Sequence, residues 1–492
     1  MPVVRAFVRF VVELTLTTVA LTIAPFYSIQ SKAALIDPDI WWHIRLGDWI
    51  ASHRGVPSVG VLSQHFERPW VAYSWGFDLL VSAVHRFYGL PGIVGFLICF
   101  QVLISLVFLV AIRHLAGNPW WSWLIGALSI YAFYINPLRP GLFTLLFFTL
   151  ELLVIFDAER RADDRRLLWM GPLFMLWANF HIQFVYGLFV FGLYVAARLA
   201  AGYRETSASA TGPRALLLGS LVLAAACSCI GPNGVTLYKV AFNFAAHPAI
   251  YQVIQELSAM NFRRPEHYVQ LLLLMAACFA AGRSRRIDLF LPLLLVVTAF
   301  VSFRSLRDSW FVSIAAGFVL AESARGGARK SGINPAGAQP LVRPAIQYAL
   351  AAVLAIGASF VMVTRQGITM PALAAVIDRV YPLRATDFIR ESGLKGPMYN
   401  DFNWGGFLIY RLPNHPVSMD SRTDLYGDEL LAQSRRTNNA TPGWQQDPHV
   451  TRANFILIQN WYPLAAALAN DRQFRLVYRD HIAVIFVREP PG

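Results

Sequence analysis

Long apolar runs separated by short polar stretches dominate the chain up to about residue 363. Many of these runs approach the roughly 17 to 25 residues that a helix needs to cross the hydrocarbon layer of a bilayer. The pattern therefore predicts about eleven transmembrane helices, some of them short enough to require tilt within a bundle. The predicted runs are residues 10–29, 92–112, 120–135, 142–156, 167–179, 184–199, 215–230, 269–281, 289–301, 310–321 and 345–363.

The pattern changes after residue 364. Short strand-like runs at 416–419, 455–458 and 482–487 alternate with helical stretches at 385–391 and 463–470. This alternation is typical of a small α/β domain. We therefore expect a polytopic α-helical membrane domain over residues 1–363, with a first outward polar loop at 31–73, followed by a soluble α/β domain over residues 364–492.

Composition and charge agree with a membrane protein. Of the 492 residues, 56% are hydrophobic and only 14% are charged, against about 25% charged in an average soluble protein. The net charge of +13 comes largely from arginines in short loops between apolar runs, which indicates topology rather than nucleic-acid binding. All four cysteines lie within apolar runs, so neither a disulfide nor a zinc site is indicated.

The positive loops also predict an orientation. Arg5 and Arg9 precede the first apolar run, which lacks a convincing cleavage pattern and is interpreted as a retained helix. Counting crossings from a cytoplasmic N-terminus places the loop at 31–73, the loop at 231–268 and the C-terminal domain on the opposite side. We expect a multi-pass protein of the bacterial inner membrane whose C-terminal domain is periplasmic or extracellular.

The densest polar segment of the chain follows the first apolar run, at 37–43 (Asp-Pro-Asp-Ile-Trp-Trp-His). Asp37 and Asp39 flank a proline, and such a pair either holds a divalent cation or divides into a base and a charge stabiliser. His43 would supply a third ligand or orient a phosphate. Alternatively, one aspartate caps the helix that begins near Ile40, and the tryptophans form an interfacial belt.

Other polar residues near the predicted outward helix ends are candidates for substrate binding. His181 lies between two apolar runs, where it would contact a phosphate or bind an exposed helix end. Arg139, Arg304 and Arg307 oppose the positive-inside trend, so they would grip a phosphate or extend towards lipid head groups. Glu256 lies in the loop at 231–268, which is expected on the same side as the first outward loop. It would line a cavity shared with that loop or remain a solvated loop charge.

The segment 420–426 (Asp-Ser-Arg-Thr-Asp-Leu-Tyr) follows a predicted strand in the C-terminal domain. The ends of strands in α/β sheets often bind ligands, so substrate recognition by Asp420, Arg422 and Asp424 is one interpretation. An ion pair that fixes the loop is the other.

An acidic pair in the first outward loop, ahead of many helices, resembles the GT-C superfamily of membrane glycosyltransferases. The segments 37–43, Ser74-Trp75, Asn179-Phe180-His181, Trp404-Gly405-Gly406 and 420–426 resemble, more narrowly, a bacterial branch of the superfamily. The resemblance implies sugar transfer from a polyprenyl-phosphate donor to an acceptor glycan, lipid or protein at the outer face of the inner membrane.

The resemblance also implies roles for the acidic pair. A first-loop carboxylate in the superfamily acts as base or as metal ligand, and these roles fall on Asp39 and Asp37, with Mg²⁺ or Mn²⁺ as the implied cofactor. Here a proline separates the two aspartates, so either is a candidate for the base. Asp39, nearer the start of the helix, is slightly favoured.

A transporter or flippase of a lipid-linked substrate is the alternative. Transporters usually place ionisable residues near the bilayer midplane and often contain internal repeats. Glu13 and Glu151 are the main acidic residues within apolar runs, and the sequence contains no fixed-period repeat. A non-catalytic scaffold with a periplasmic binding domain ranks third.

Overall fold

The structure is a computed structural model that describes residues 2–132, 137–204, 211–246, 255–283, 289–330, 341–366 and 369–490. Its contacts divide the chain into two compact units. The first, here called the helical unit, comprises Met1–Ser31, Gly95–Asn136 and Pro140–Arg365. The second, here called the mixed unit, comprises Lys32–Val94, Pro137–Arg139 and Gln366–Gly492.

The described part of the helical unit is built almost entirely from helices, because a helix satisfies its own backbone hydrogen bonds in an apolar environment. Short 3₁₀ turns at Asp164–Trp169, Gln255–Leu257 and Leu306–Asp308 lie between them. The helices are Pro2–Ser31, the second part of Trp75–Ala116, Pro119–Ala132, Gly141–Arg161, Met170–Phe180, Phe184–Arg204, Thr211–Ser228, Thr236–Ala246, Pro265–Gly282, Phe290–Arg304, Trp310–Lys330 and Pro344–Gln366.

Each of the eleven predicted apolar runs overlaps one of these helices, although the runs at 167–179, 215–230 and 289–301 extend one to three residues beyond them. Among the described residues, five helices are long and apolar enough to cross a membrane. Two apolar helices are shorter, Arg214–Ser228 and Phe290–Arg304. The polytopic helical membrane fold is thus confirmed, whereas about eleven crossings stays a prediction. The five long apolar helices are Val3–Ser31, Trp75–Ala116, Gly141–Arg161, Phe184–Ala201 and Pro344–Gln366.

Parts of two features predicted above lie outside the described residues. These are the end of the run at 120–135 and residues 247–254 of the loop at 231–268.

The helix Trp75–Ala116 is broken near its middle. Gly89 has a φ of +63°, which a residue without a Cβ adopts readily, and Pro91 follows within the same element. The apolar run predicted at 92–112 is therefore the second helical segment. The segment before Gly89 belongs to the mixed unit and was not predicted as a helix.

The mixed unit contains a four-stranded sheet formed by β1 (Met398–Asn400), β2 (Phe455–Gln459), β3 (Phe474–Arg479) and β4 (Ala483–Arg488). The strand order is β1-β2-β4-β3, with β1 parallel to β2 and the other pairs antiparallel. Its helices are Ala33–Ile36, Asp39–His53, the first part of Trp75–Ala116, Met370–Asp378, Leu383–Ser392, Gly405–Arg411, Thr423–Asn438, Pro448–Arg452 and Pro463–Ala469.

The predicted α/β character of the C-terminal region is confirmed by this sheet. One face of β2 and β4 packs on a buried apolar cluster that includes Ile456, Leu464 and Phe486. The strand-like run at 416–419 forms an isolated bridge, Ser63 to Val417, because its partner is the first loop rather than the sheet. The predicted boundary at residue 364 stays a prediction, while the first loop lies in the same compact unit as the C-terminal residues.

Candidate active site

The acidic segment at 37–39 joins two helices of the mixed unit. The helix Ala33–Ile36 ends at Asp37, whose backbone is extended, and the next helix begins at Asp39 after Pro38. Asp37 Oδ1 accepts the backbone N–H of Asp39 at 2.9 Å. Asp37 therefore does bind the start of the helix, as the capping interpretation expects, and Asp39 lies in the first turn, where the helix dipole favours a negative charge.

Arg139 bridges the two aspartates. Its Nη2 lies 2.7 Å from Asp37 Oδ2, and its Nε lies 3.3 Å from Asp39 Oδ2. Only 4% of the Asp37 side chain is exposed, against 17% for Asp39 and 16% for Arg139. The planar guanidinium thus offsets the repulsion between two carboxylates that are largely removed from water.

Asp39 also has neutral hydrogen-bond donors. Its Oδ1 accepts a bond from Trp42 Nε1 at 3.3 Å and a short bond from the Ser421 hydroxyl. Trp42 Nε1 lies 3.2 Å from Ser421 Oγ as well. The two carboxylates therefore differ in environment: Asp37 is held by a backbone amide and a close guanidinium, whereas Asp39 is held by a hydroxyl, an indole and a more distant guanidinium.

The two glycines that follow Trp404 allow close backbone contact with this segment. A Cβ at Gly406 would lie 2.3 Å from the carbonyl oxygen of Pro38. A Cβ at Gly405 would lie 2.1 Å from the carbonyl oxygen of Met419 and 2.5 Å from Cα of Asp420. The sequence Trp404-Gly405-Gly406 is thus explained by the packing of one helix start against both acidic segments.

Asp420 and Arg422 form a buried ion pair that fixes the loop around Ser421. Arg422 Nε and Nη2 donate to the two Asp420 oxygens at 2.8 and 2.7 Å, and Tyr426 donates its hydroxyl to Asp420 at 2.7 Å. Arg422 Nη1 also donates to the carbonyl of Val61 at 2.9 Å. Of the two interpretations left open by the sequence, the structure shows the ion pair.

Aromatic rings enclose this ion pair. The Arg422 guanidinium lies 4.8 Å from the centre of the Trp70 ring and 5.8 Å from that of Trp42. Burial lowers the pKa of Arg422, but the adjacent Asp420 carboxylate outweighs burial and the net shift is upward. Burial raises the pKa of Asp424, which accepts the Trp70 indole N–H at 2.9 Å, to about 6.

His43 lies beside the acidic pair in sequence but pairs with another carboxylate. Its Nδ1 makes a short contact with Asp78 Oδ1, and both side chains are buried. The His43 ring packs on Trp42, with ring centres 3.6 Å apart. The predicted role of His43 in binding substrate or metal stays a prediction. In the structure its Nδ1 has the Asp78 carboxylate as a partner.

The remaining predicted residues lie in the helical unit. His181 follows the helix Met170–Phe180 and its Nδ1 lies 2.7 Å from the Thr144 hydroxyl, which also accepts the Trp177 indole N–H. Arg307 lies 3.4 Å from Glu256 in a partly exposed ion pair. Their roles in substrate binding stay predictions.

Arg304 ends the helix Phe290–Arg304 and lies near a buried acidic residue. That residue, Asp308, accepts a short hydrogen bond from Gln183. Burial raises the pKa of Asp308 to about 6, although Arg307 and Arg304 act in the opposite direction. The binding role of Arg304 stays a prediction.

No role was predicted from the sequence for Asp78 or Ser421, and Trp42 was predicted only as part of an interfacial belt. The only local signal for Asp78 is an acidic residue in the first turn of an otherwise apolar helix. Ser421 carries no local signal, because its partner lies 382 positions away.

The acidic pair is the candidate site for the divalent cation that the resemblance implies. Carboxylate oxygens are ligands that Mg²⁺ and Mn²⁺ prefer. In the part of the chain that the structure describes, however, no group of three or more His, Cys, Asp or Glu is arranged to hold a metal ion. Arg139 already supplies positive charge between the two carboxylates. With Arg139 in this position, the residues do not fit a cation that bridges the pair.

A histidine pair in the mixed unit predicts a dependence of stability on pH. Nε2 of His65 lies 2.9 Å from Nε2 of His449, so one ring must donate and the other accept. Burial is the main cause that lowers the pKa of His65 to about 4, and His449 and Arg68 lower it further. Asp420 acts in the opposite direction. The folded chain then binds fewer protons than the unfolded chain between pH 6.5 and 4, so stability is lost as pH falls through this window.

Replacement of His65 by glutamine should reduce that loss. Between pH 7 and pH 4.5 we expect the unfolding midpoint of the wild type to fall about 2 to 4 °C more than that of His65→Gln, after allowance for solvent screening. Carboxylates titrate in both proteins, so the difference isolates the imidazole. Equal falls in both proteins would contradict this assignment. Thermal unfolding in detergent, followed by tryptophan emission, measures both midpoints.

The fold is similar to that of an archaeal oligosaccharyltransferase. The oligosaccharyltransferase of Archaeoglobus fulgidus in its apo form superposes with a TM-score of 0.55 at 12% identity, covering 92% of this chain and 69% of that chain. The same figures apply to the archaeal oligosaccharyltransferase AglB from that organism in complex with an inhibitory peptide and a dolichol-phosphate. This similarity shows the fold, and the predicted GT-C-like fold is confirmed.

ArnT from Cupriavidus metallidurans bound to undecaprenyl phosphate covers 98% of this chain and 97% of its own, at 16% identity. Its TM-score is 0.42. No protein-family model and no curated protein sequence matches the chain.

Proposed function

We propose that this chain is an integral membrane glycosyltransferase that moves a sugar from a polyprenyl-phosphate donor to an acceptor at the outer face of the inner membrane. The observation that carries the proposal is the pair Asp37 and Asp39 in the first loop, which Arg139 bridges. The fold around this pair is shared with an archaeal oligosaccharyltransferase. One structure of that protein is described as a complex with a dolichol-phosphate, which is a polyprenyl-phosphate. With the reaction at the outer face of the inner membrane, the N-terminus is cytoplasmic and the C-terminal residues are periplasmic in this proposal.

In the proposed reaction, an acceptor hydroxyl attacks the anomeric carbon of the donor sugar. The bond between that carbon and the phosphate oxygen breaks, and the polyprenyl phosphate leaves with the bonding electrons. Asp39 accepts the proton of the attacking hydroxyl, and its carboxylate is positioned for this by hydrogen bonds from Ser421 and Trp42 and by the Arg139 guanidinium. Asp37 fixes Arg139, whose positive charge supports the negative charge that develops on the leaving phosphate.

The other predicted binding residues complete this proposal. Arg304, Arg307, His181 and Glu256 would contact the donor or the acceptor, and His43 would orient the phosphate or the ring of Trp42. The divalent cation that the resemblance implies would be held by Asp37 and Asp39 only if Arg139 moved out of the bridge between them. No step above depends on such a cation, since Arg139 supplies the positive charge.

The direct test uses the full chain in liposomes with labelled polyprenyl-phosphate hexoses and pentoses, and bacterial membrane extract as a source of acceptors. We expect the wild type to move label from the lipid fraction to an acceptor. The double variant Asp37→Asn/Asp39→Asn should lose a factor of about 10² to 10⁴ in rate, which is the usual contribution of a general base. Glu429→Gln, an exposed carboxylate in the same unit, serves as the matched control.

Two results would contradict the proposal. One is full transfer by the double variant, which would remove the acidic pair from the reaction. The other is movement of intact labelled lipid between leaflets without any transfer of sugar, which would identify a transporter or flippase instead.

A further inference from the structure

The segment 420–422 (Asp-Ser-Arg) brings a hydroxyl from the C-terminal part of the chain to the first-loop carboxylate. Ser421 donates to Asp39 Oδ1, which also accepts the indole N–H of Trp42 at 3.3 Å. Trp42 Nε1 and Ser421 Oγ are themselves 3.2 Å apart. One carboxylate oxygen, one hydroxyl and one indole nitrogen therefore form a closed triangle.

The position of Ser421 is fixed by both of its neighbours in the chain. Asp420 and Arg422 are buried and form a two-bond ion pair with each other. The backbone N–H of Arg422 also donates to Asp420 Oδ1 at 2.9 Å, which closes a tight turn around Ser421. Because Gly405 packs directly against Asp420, this turn cannot shift without disturbing the helix Gly405–Arg411.

The triangle also limits the motion of Asp39. Two donors bind Oδ1, and Arg139 approaches Oδ2, so rotation of the carboxylate about its own axis would break at least one of these contacts. A base must lie within hydrogen-bond reach of the proton that it removes, and misplacement by about 1 Å can cost 10²-fold in rate. A hydroxyl that fixes this carboxylate therefore acts on the rate of the reaction rather than on binding.

We propose that Ser421 is a positioning residue for sugar transfer, and that the C-terminal loop completes the reaction centre by holding Asp39. This inference rests on the proposed function. It gives the C-terminal residues a direct part in the chemistry, in addition to any part in acceptor recognition.

The kinetic test compares Ser421→Ala, Ser421→Thr and wild type in the full chain, with labelled polyprenyl-phosphate sugar as the varied substrate. Ser421→Ala should lower kcat by about 10- to 100-fold and leave KM within about twofold, because the donor does not contact Ser421 in this proposal. Ser421→Thr keeps the hydroxyl and should recover most of kcat. Ser392→Ala, which removes an exposed hydroxyl bound to a backbone carbonyl in the same unit, should match the wild type.

A second test measures the contact itself and needs no activity. Unfolding midpoints are compared for Asp39→Ala, Ser421→Ala and the double variant. If Ser421 binds Asp39, the double variant should lose less than the sum of the two single losses, since both remove the same contact.

The outcomes separate the two ideas. A wild-type chain that transfers no sugar overturns the proposed function. Additive midpoints, or a Ser421→Ala chain with the kcat of the wild type, overturn the positioning role alone. Non-additive midpoints together with a selective, threonine-rescued fall in kcat support the positioning role.

Discussion

Replacement of Arg422 by alanine is expected to destabilise the mixed unit by about 3 to 5 kcal/mol, the usual effect of removing one partner from a buried ion pair. Arg422 is almost fully buried, and its removal would leave the Asp420 carboxylate buried, with the Tyr426 hydroxyl and the backbone N–H of residue 422 as its remaining donors among the contacts described above. The carbonyl of Val61 would lose its guanidinium donor, and two indole rings would lose the cation they enclose.

Two comparisons test the physical reason. The double variant Asp420→Asn/Arg422→Met removes both charges and should be less damaging than Arg422→Ala, because no charge is left buried without a partner. Arg475→Ala disrupts an exposed ion pair with Glu489 and should change stability by at most about 1 kcal/mol. Urea unfolding in detergent, followed by tryptophan emission and protease sensitivity, measures all three. Equal effects of Arg422→Ala and Arg475→Ala would contradict the buried-pair assignment.

Replacement of Arg139 by alanine is expected to lower the rate of sugar transfer by about 10²- to 10³-fold, the loss typical of removing one preorganised electrostatic donor. Without the guanidinium, two nearby carboxylates would repel each other in a largely buried setting, which favours protonation of one of them. Arg139→Lys keeps the charge but loses the planar fork, so an intermediate rate is expected.

Initial rates of transfer at saturating donor give the comparison. Arg384→Ala, which removes an exposed arginine paired with Asp378 in the same unit, is the matched control and should retain the wild-type rate. A wild-type rate in Arg139→Ala would show that the bridge between Asp37 and Asp39 plays no part in the reaction.

The sequence predicted those features of the fold that depend on neighbouring residues. The eleven apolar runs were identified because hydrophobic length is a local property, and each predicted run overlaps a helix. The acidic segment at 37–39 was also predicted to lie at a helix start, and the Asp37 side chain binds the first amide of that helix.

Partners from distant parts of the chain could not be predicted. Arg139 was expected to meet a phosphate or lipid head groups, and in the structure it contacts Asp37, 102 positions away. Asp78 pairs with His43, and Ser421 with Asp39, without any spacing or periodicity that would connect them. Such pairs follow from the packing of separate segments, such as the close approach at Gly406, which composition and hydropathy do not encode.

The unit that carries the acidic pair is assembled from three separate stretches of the chain, and this has a consequence for synthesis. Asp39 emerges from the ribosome 382 residues before Ser421. At about 5 to 20 residues per second, the first loop therefore waits on the order of 20 to 80 s for the hydroxyl that holds its carboxylate. The later membrane helices are made during that interval while the proposed reaction centre stays incomplete, so the proposed reaction can begin only after Ser421 has been translated.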